Sequence, residues 1–376
     1  MGLRRKRPYI VCEEFINSLK IKIYITDEGY GPIIRQNAII NEVKNINEKV
    51  QFTLQSQSHF KDIKRIIPGQ TYINKFNNII WHRQSNGSPD IKKINSFFDD
   101  YKKRSESFIN DEINNVSCDL IITDFVAEAF QISKETGIPA IGVCHFTWDW
   151  FFLKLLKKNH PFFKLIESYM EHSNVIYFPP FTPIGVVNKY ADKAKNIPFI
   201  FNKNKKNKTL SNDKKFKILV MDSGGNVISS RIEKIIDLIR KNSKYHFYIS
   251  DKFNVHNDHV SFIRKHELFS SYIPKMDLVI GRGGFNTFTE CLANRVPFLM
   301  LNEKLNPEME ENSKYYLETN LCKEISLDGS QGNFMEVLDD FIKFDYKKLK
   351  FNMQNHNFKF NGAKVIAEDI ISKYNV

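Results

Sequence analysis

Apolar positions along this chain alternate between two kinds of run. In the first half, KIKIYITD (Lys20–Asp27) is rich in β-formers. The segment behind it, PIIRQNAIINEVKNI, spaces its apolar residues at helical intervals with Pro32 at the start. VQFTLQS predicts a second strand, and CDLIITDF (Cys118–Phe125) a third that is apolar throughout. The helical stretch VAEAFQISKETG closes on Gly137, and IPAIGVCHF predicts a further strand. The second half repeats the order: strand FKILVMDS, glycine-led helix GGNVISSRIEKIIDLIRK, strands YHFYIS and DLVIG, a helix behind GRGG, strand VPFLMLN, and helix NPEMEENSKYYLETN. Strands that are apolar throughout and alternate with helices predict parallel sheets covered on both faces. The expected fold class is therefore α/β, with two Rossmann-like domains facing across a cleft. Ligands of such sheets bind at the carboxyl ends of the strands.

The break between the halves is FNKNKKNKTLSNDKKFK (Phe201–Lys217), almost wholly polar between apolar segments, which reads as a linker. The expected organisation is a basic tail at 1–19, a first domain at 20–200, a linker at 201–215 and a second domain at 216–360. A last helix at 361–376 (Asn361–Tyr374) is expected to pack back across the junction. A length of 376 residues fits this, since single cores stop growing well short of it.

No apolar run approaches the roughly 18–20 residues that span a bilayer. The N-terminal MGLRRKRPYIVCEEF lacks the apolar core of a secretory signal, and Lys6 stands where myristoylation needs Ser or Thr. Five scattered cysteines without a CxxC pair point to reduced thiols, hence a cytoplasmic setting. The net charge of +12 suits an anionic partner, although Lys excess in a chain this rich in Asn and Ile also follows from coding bias. No basic stripe interleaved with aromatics and no nucleic-acid motif occurs, so nucleic acid is not expected as a partner.

Two glycine-bearing turns follow strands and open helices in the second half: Ser223-Gly224-Gly225 and Gly281-Arg282-Gly283-Gly284. Exposed N–H groups and the helix dipole favour an anion at such places. Neither turn fits the P-loop or the dinucleotide GxGxxG. Three glycines in four residues exceed the need of one turn, and a nucleotide diphosphate approaching bare backbone would account for them. Glu290, six residues beyond Gly284, could accept both hydroxyls of a ribose. No D-x-D occurs, and His256, Asp258 and His259 form no complete ligand set, so neither metal nor cofactor is expected.

FSSYIPKMDLVIGRGGFNTFTECLANRVPFLMLNEKLNPEMEENSKYYLE resembles the donor half of GT-B-fold glycosyltransferases, particularly family 28, which includes the bacterial peptidoglycan N-acetylglucosaminyltransferase. CDLIITDFVAEAFQISKETGIPAIGVCHFTWDWFF is similar to a PDLVISDF…GIPVVGISHFTWDW pattern of other members. The resemblance implies that Gly283, Gly284 and Phe285 lie against a nucleotide diphosphate. It implies that Asn286 and Thr287 donate to phosphate or sugar and that Glu290 holds the ribose. Glu310, Glu311 and Asn312 would contact the donor sugar, and the backbone at His266–Phe269 would face the base, by family habit uracil. Arg282 is a candidate to stabilise the leaving diphosphate.

The acceptor side departs from the family's G-H-G-H-x-x-R. Here DEGYGPIIRQ keeps Gly29, Gly31 and Arg35 but has Tyr30 and Pro32 at the histidine positions. An inverting transfer still needs a base for the acceptor hydroxyl. Glu28, Asp124, His145 and Asp149, all at predicted strand ends, are the candidates, with Glu28 and Asp149 preferred. HFTWDWFFLKLLKKNHPFF (His145–Phe163) is aromatic and cationic together, and is read as packing before it is read as a membrane contact. The resemblance implies metal-independent transfer from a nucleotide sugar, a UDP-sugar, to a glycan, lipid-linked or small-molecule acceptor. It also implies peripheral contact with an anionic membrane at the inner face. The rivals are a nucleotide-sugar hydrolase or epimerase of the same fold, and a non-catalytic member of a glycan assembly system.

Overall fold

The computed structural model describes residues 18–76, 79–84, 88–203, 214–221, 236, 239–253, 257–264, 267–301, 303, 305–325 and 333–374. Two parallel sheets organise it. The first joins β1 (Lys20–Ile25), β2 (Gln51–Gln55), β3 (Thr71–Ile73), β4 (Leu120–Asp124), β5 (Ala140–Val143), β6 (Val175–Phe178) and β7 (Ala194–Asn196) in the order β3-β2-β1-β4-β5-β6-β7. The second joins β8 (Phe216–Met221), β9 (Tyr245–Ser250), β10 (Val260–Ile263), β11 (Leu278–Arg282), β12 (Phe298–Leu301) and β13 (Lys323–Ile325) in the order β10-β9-β8-β11-β12-β13. This is the α/β class with two Rossmann-like units that the strand pattern predicts. The short strands β3, β7, β10 and β13 lie toward the sheet edges, where three or four residues give too little periodicity to read.

The apolar strands are apolar because both faces are covered. On β1, Ile21, Ile23 and Ile25 enter one core while Tyr24 enters the core on the opposite face. Lys22 is the exception: it is buried, and its Nζ pairs with Glu112 at 2.5 Å, since a lone charge there would be far too costly. Helix Gly31–Ile46 starts with Pro32 in its first turn, and Gly137 closes helix Glu128–Thr136 at φ +72°.

The chain crosses between the domains twice, side by side. Phe199 N–H donates to Lys359 O and Gly362 N–H donates to Phe199 O, both at 3.0 Å. Beyond the second crossing, helix Gly362–Tyr374 packs on helix Gly31–Ile46 and puts Ala363, Ile366, Ala367 and Ile370 into the first domain's core. Burying each isoleucine contributes about 1.5–3 kcal/mol. Gly362 has no room for a side chain, because a Cβ would lie 2.1 Å from Pro198 O. The sheet order reverses between β1 and β4 and between β8 and β11. Each reversal opens a crevice at the strands' carboxyl ends, and the two crevices face each other.

Candidate active site

Between the domains lies a cavity of about 440 Å³. One wall is the loop after β1, Trp81, Phe125 after β4, and the His145–Trp148 turn after β5. The other is Ser250 at the end of β9, Leu268–Ser270, the turn after β11, and the start of helix Pro307–Glu318.

On the second domain's wall, Gly284 is the extended N-cap of helix Phe285–Asn294. Gly284, Thr287 and Glu290, spaced three apart and so on one helix face, all line the cavity. Thr287 and Glu290 are nonetheless buried. The other glycines have a different cause, which corrects the ligand-based expectation for Gly283. A Cβ on Gly283 would sit 2.6 Å from Met300 Sδ, and one on Gly281 would sit 3.2 Å from Met221 Cβ. They are small because strands and helix pack tightly there. Phe269 lines the cavity at the start of a short 3-10 turn. Ser223, Gly224, Gly225, His256 and His266 lie outside the described residues.

Asn286 is a bridge between domains: its Nδ2–H donates to Gly31 O at 2.6 Å, and its Oδ1 accepts from Arg35 Nη1 at 3.3 Å. Phe285 stacks on His145 across the cleft, centroids 4.5 Å apart and planes 16° off parallel. Arg282 lines the cavity while Nε and Nη2 donate to buried Glu303 at 2.5 and 3.0 Å, so much of its charge is already answered.

Three residues expected at the donor sugar point elsewhere. Glu310 accepts from Lys154 Nζ and the Leu305 N–H, Glu311 accepts from Lys314, and Asn312 donates to Gly283 O. Asn306 caps this helix and Pro307 starts it, a geometry that turns Glu308 and Met309 toward the cavity instead. Glu308 is the residue the sequence reading missed. An acid one position after an Asn-Pro helix start was the available signal. Its Oε1 accepts from His145 Nε2–H at 2.9 Å. Burial pushes the Glu308 carboxyl up, but His145, Arg282 and Arg35 outweigh this and hold it below its usual value. Burial pushes the His145 imidazole down despite Glu308, so the ring is neutral, with Nε2 as donor and buried Nδ1 without a partner.

On the first domain's wall, Gly29 has φ +71°, and Gly31 faces Asn286 Nδ2 so closely that a Cβ would meet it at 2.8 Å. Tyr30, at the family's histidine position, donates from its hydroxyl to Asp62 Oδ2 at 2.9 Å. Arg35 is buried against Asp124, with Nη2–Oδ1 at 2.6 Å and Nε–Oδ2 at 3.2 Å, and Gln36 Nε2 adds a third bond to that carboxylate. Asp124 is wholly enclosed and does not line the cavity, so it orients Arg35 and cannot meet a hydroxyl. Asp149 is also displaced from the cavity. Its Oδ2 accepts from Lys189 Nζ at 2.8 Å and Tyr190 hydroxyl at 3.0 Å, a half-buried ion pair and a hydrogen bond that tie helix Trp148–Phe152 down. Of the four base candidates, the cavity keeps Glu28 and His145. Glu28 Oε1 accepts the Trp81 backbone N–H at 2.8 Å. Burial pushes its carboxyl up, against the pull of that N–H and of Arg83.

Within His145–Phe163, Trp148, Phe151 and Phe152 are core residues, while Leu153, Lys157 and Lys158 stand exposed. Among the described residues no helix is long and apolar enough to cross a membrane. None of their His, Cys, Asp and Glu side chains gather in threes to hold a metal.

Two Rossmann-like domains with strand ends facing a shared cleft, joined by paired crossings and a returning last helix, define a GT-B protein. Residues 201–370 match the glycosyltransferase family 28 C-terminal domain. The second half of the chain is thus similar to that domain, within a whole that has the GT-B fold. It is 28% identical over 104 residues to the UDP-N-acetylglucosamine--N-acetylmuramyl-(pentapeptide) pyrophosphoryl-undecaprenol N-acetylglucosamine transferase of Campylobacter fetus subsp. fetus (strain 82-40). That match covers 27% of this chain and 30% of the relative, less than a third of the relative's length. Among solved structures, the glycotransferase of kitacinnamycin aligns over 95% of this chain and 100% of its own, with TM-score 0.64 and 11% identity. A UDP-N-acetylglucosamine 2-epimerase aligns over 95% and 97%, with TM-score 0.60 and 12% identity. At such identities the likeness is one of fold.

Proposed function

We propose that the protein moves a sugar from a nucleotide-diphosphate sugar, a UDP-sugar, to a hydroxyl of an acceptor on the first domain, without a metal. One observation carries this reading: Gly284, Thr287 and Glu290 line one helix face in the cleft, at the carboxyl ends of β8 and β11. Glu290 would take the ribose hydroxyls. The diphosphate would meet the N–H groups that open helix Phe285–Asn294, where the dipole favours negative charge. Arg282 and Lys252 line the same cavity on the second domain's wall and would answer the charge that grows on the leaving diphosphate. Glu308, between these groups and His145, would face the sugar. The relative's name, with its UDP-linked donor and undecaprenol-linked acceptor, supports UDP as the nucleotide and makes a lipid-linked acceptor one reading, which would place the work at the inner face of the membrane. A glycan or a small molecule would fit the same chemistry.

The test is a thermal-shift screen of nucleotides and nucleotide sugars, with Glu290→Ala alongside. UDP and at least one UDP-hexose should raise the melting temperature of the wild type and not of the variant. If no nucleotide shifts either protein, the reading is wrong. The epimerase-like structure motivates the second reading. Rapid conversion of a UDP-sugar with no acceptor present would favour it over transfer.

A further inference from the structure

The two walls of the cleft differ in chemistry. The second domain presents Lys252, Glu267, Arg282, Thr287, Glu290 and Glu308. The first domain lines the cavity with the edges of largely buried rings, Trp81, Phe125, Phe146, Trp148 and Phe151, beside the polar Thr26, Glu28, Tyr30 and His145. These rings hold one another in fixed tilts. Trp81 meets Phe151 edge-on at 4.9 Å, Phe125 meets Phe146 at 4.4 Å, and Phe146 stacks on Phe151 at 5.3 Å. Trp148 is fixed as well, its indole N–H donating to Phe125 O at 2.7 Å.

The charges on this wall are mostly committed. Arg35 is taken by Asp124 and Asn286, and Arg65 by Asp62 at 2.8 Å. A phosphorylated acceptor needs cations, and the two arginines lining this wall are both already held by carboxylates. Rigid rings pair best with flat ligands. The remaining carboxylate is Glu28, held by the backbone N–H of Trp81, so acid and indole come to the cavity as one piece.

We propose that the first domain's wall seats an acceptor whose hydroxyl is carried on a flat, uncharged ring system, a phenol or fused polycycle, with that hydroxyl facing Glu28. The transfer it describes rests on the function proposed above. In it, the hydroxyl oxygen forms a bond to the anomeric carbon. The bond from that carbon to the diphosphate oxygen breaks, and its electron pair leaves with UDP. The hydroxyl proton passes to the Glu28 carboxylate and then to water. Burial raises the Glu28 carboxyl, the direction a base working near neutral pH requires.

Binding tests this without presuming a donor. Naphthol and quercetin serve as ring probes, farnesol and a neutral trisaccharide as counter-probes, all by titration calorimetry, with UDP binding followed separately. Ring probes should bind saturably, and Phe146→Ala, checked for its fold by melting and for UDP binding, should weaken them roughly ten-fold. Glu28→Gln should keep ring binding within about two-fold and lower any transfer by about a hundred-fold. If UDP binds but ring probes do not, or farnesol or the trisaccharide binds as tightly, the acceptor assignment is overturned and the donor reading stands. If ring probes bind and UDP does not, the donor reading fails and the ring site stands. If neither binds, both are wrong.

Discussion

Asp124 offers the sharpest separation of a structural role from a chemical one. Its carboxylate is wholly buried and takes three bonds, two from Arg35 and one from Gln36. Asp124→Ala would leave the Arg35 guanidinium, itself 2% exposed, without its counter-charge. Breaking a buried pair from one side costs about 3–5 kcal/mol. For a domain of this size that lowers the melting temperature by roughly 10 °C. The three tryptophans, Trp81, Trp148 and Trp150, all lie in the first domain, so their fluorescence reports its unfolding alone. Pairing the change with Arg35→Met removes the stranded charge and should recover much of the loss. The deficit that remains is about 1–3 kcal/mol, from buried Gln36 Nε2 left without its acceptor and from the lost Arg35–Asn286 bond. The reasoning fails if Asp124→Ala melts at the wild-type temperature, or if the double variant is no more stable than the single one.

Further outcomes can be checked singly. Glu290→Gln should weaken UDP binding by about 10–100-fold in calorimetry, the range of one hydrogen bond to a charged group, measured well below the melting temperature of both proteins. Gly283→Ala should cost about 1–3 kcal/mol in urea unfolding, because its new methyl collides with Met300, and Met300→Val should restore part of it. If Met300→Val restores nothing, the packing account of that glycine is wrong. His145 has a folded value below its usual 6.5, so the unfolded chain binds the extra proton first. Its contribution to stability is complete above 6.5 and is lost as pH falls through that value toward the lowered one. Wild type should lose more stability than His145→Gln between about pH 8 and about pH 5.5, and equal losses would refute the neutral-ring account.

How much of this could be read from the chain depends on the range of the interactions. Strand and helix order was legible because burial on both faces leaves an uninterrupted apolar run, as in Leu120–Asp124. The face formed by Gly284, Thr287 and Glu290 was legible too, since helical spacing is local. Asp149 was not: its partner Lys189 is 40 positions away, and nothing local distinguishes a paired carboxylate from a working one. The offset from Glu310 to Glu308 came from the way Asn306 and Pro307 start their helix, which decides the side chains that look inward. Gly283 was read as serving a ligand, when its neighbour is a methionine on the adjacent strand.

The last helix makes chain order and domain order disagree. Ile366 and Ile370 complete the core that Ile23 and Ile39 begin, yet they follow the whole of the second domain. During synthesis the first domain therefore waits, its core open along helix Gly31–Ile46, until its partner has been made. A fragment that stops at the linker has the same open seam, so the first domain is the one expected to need a chaperone.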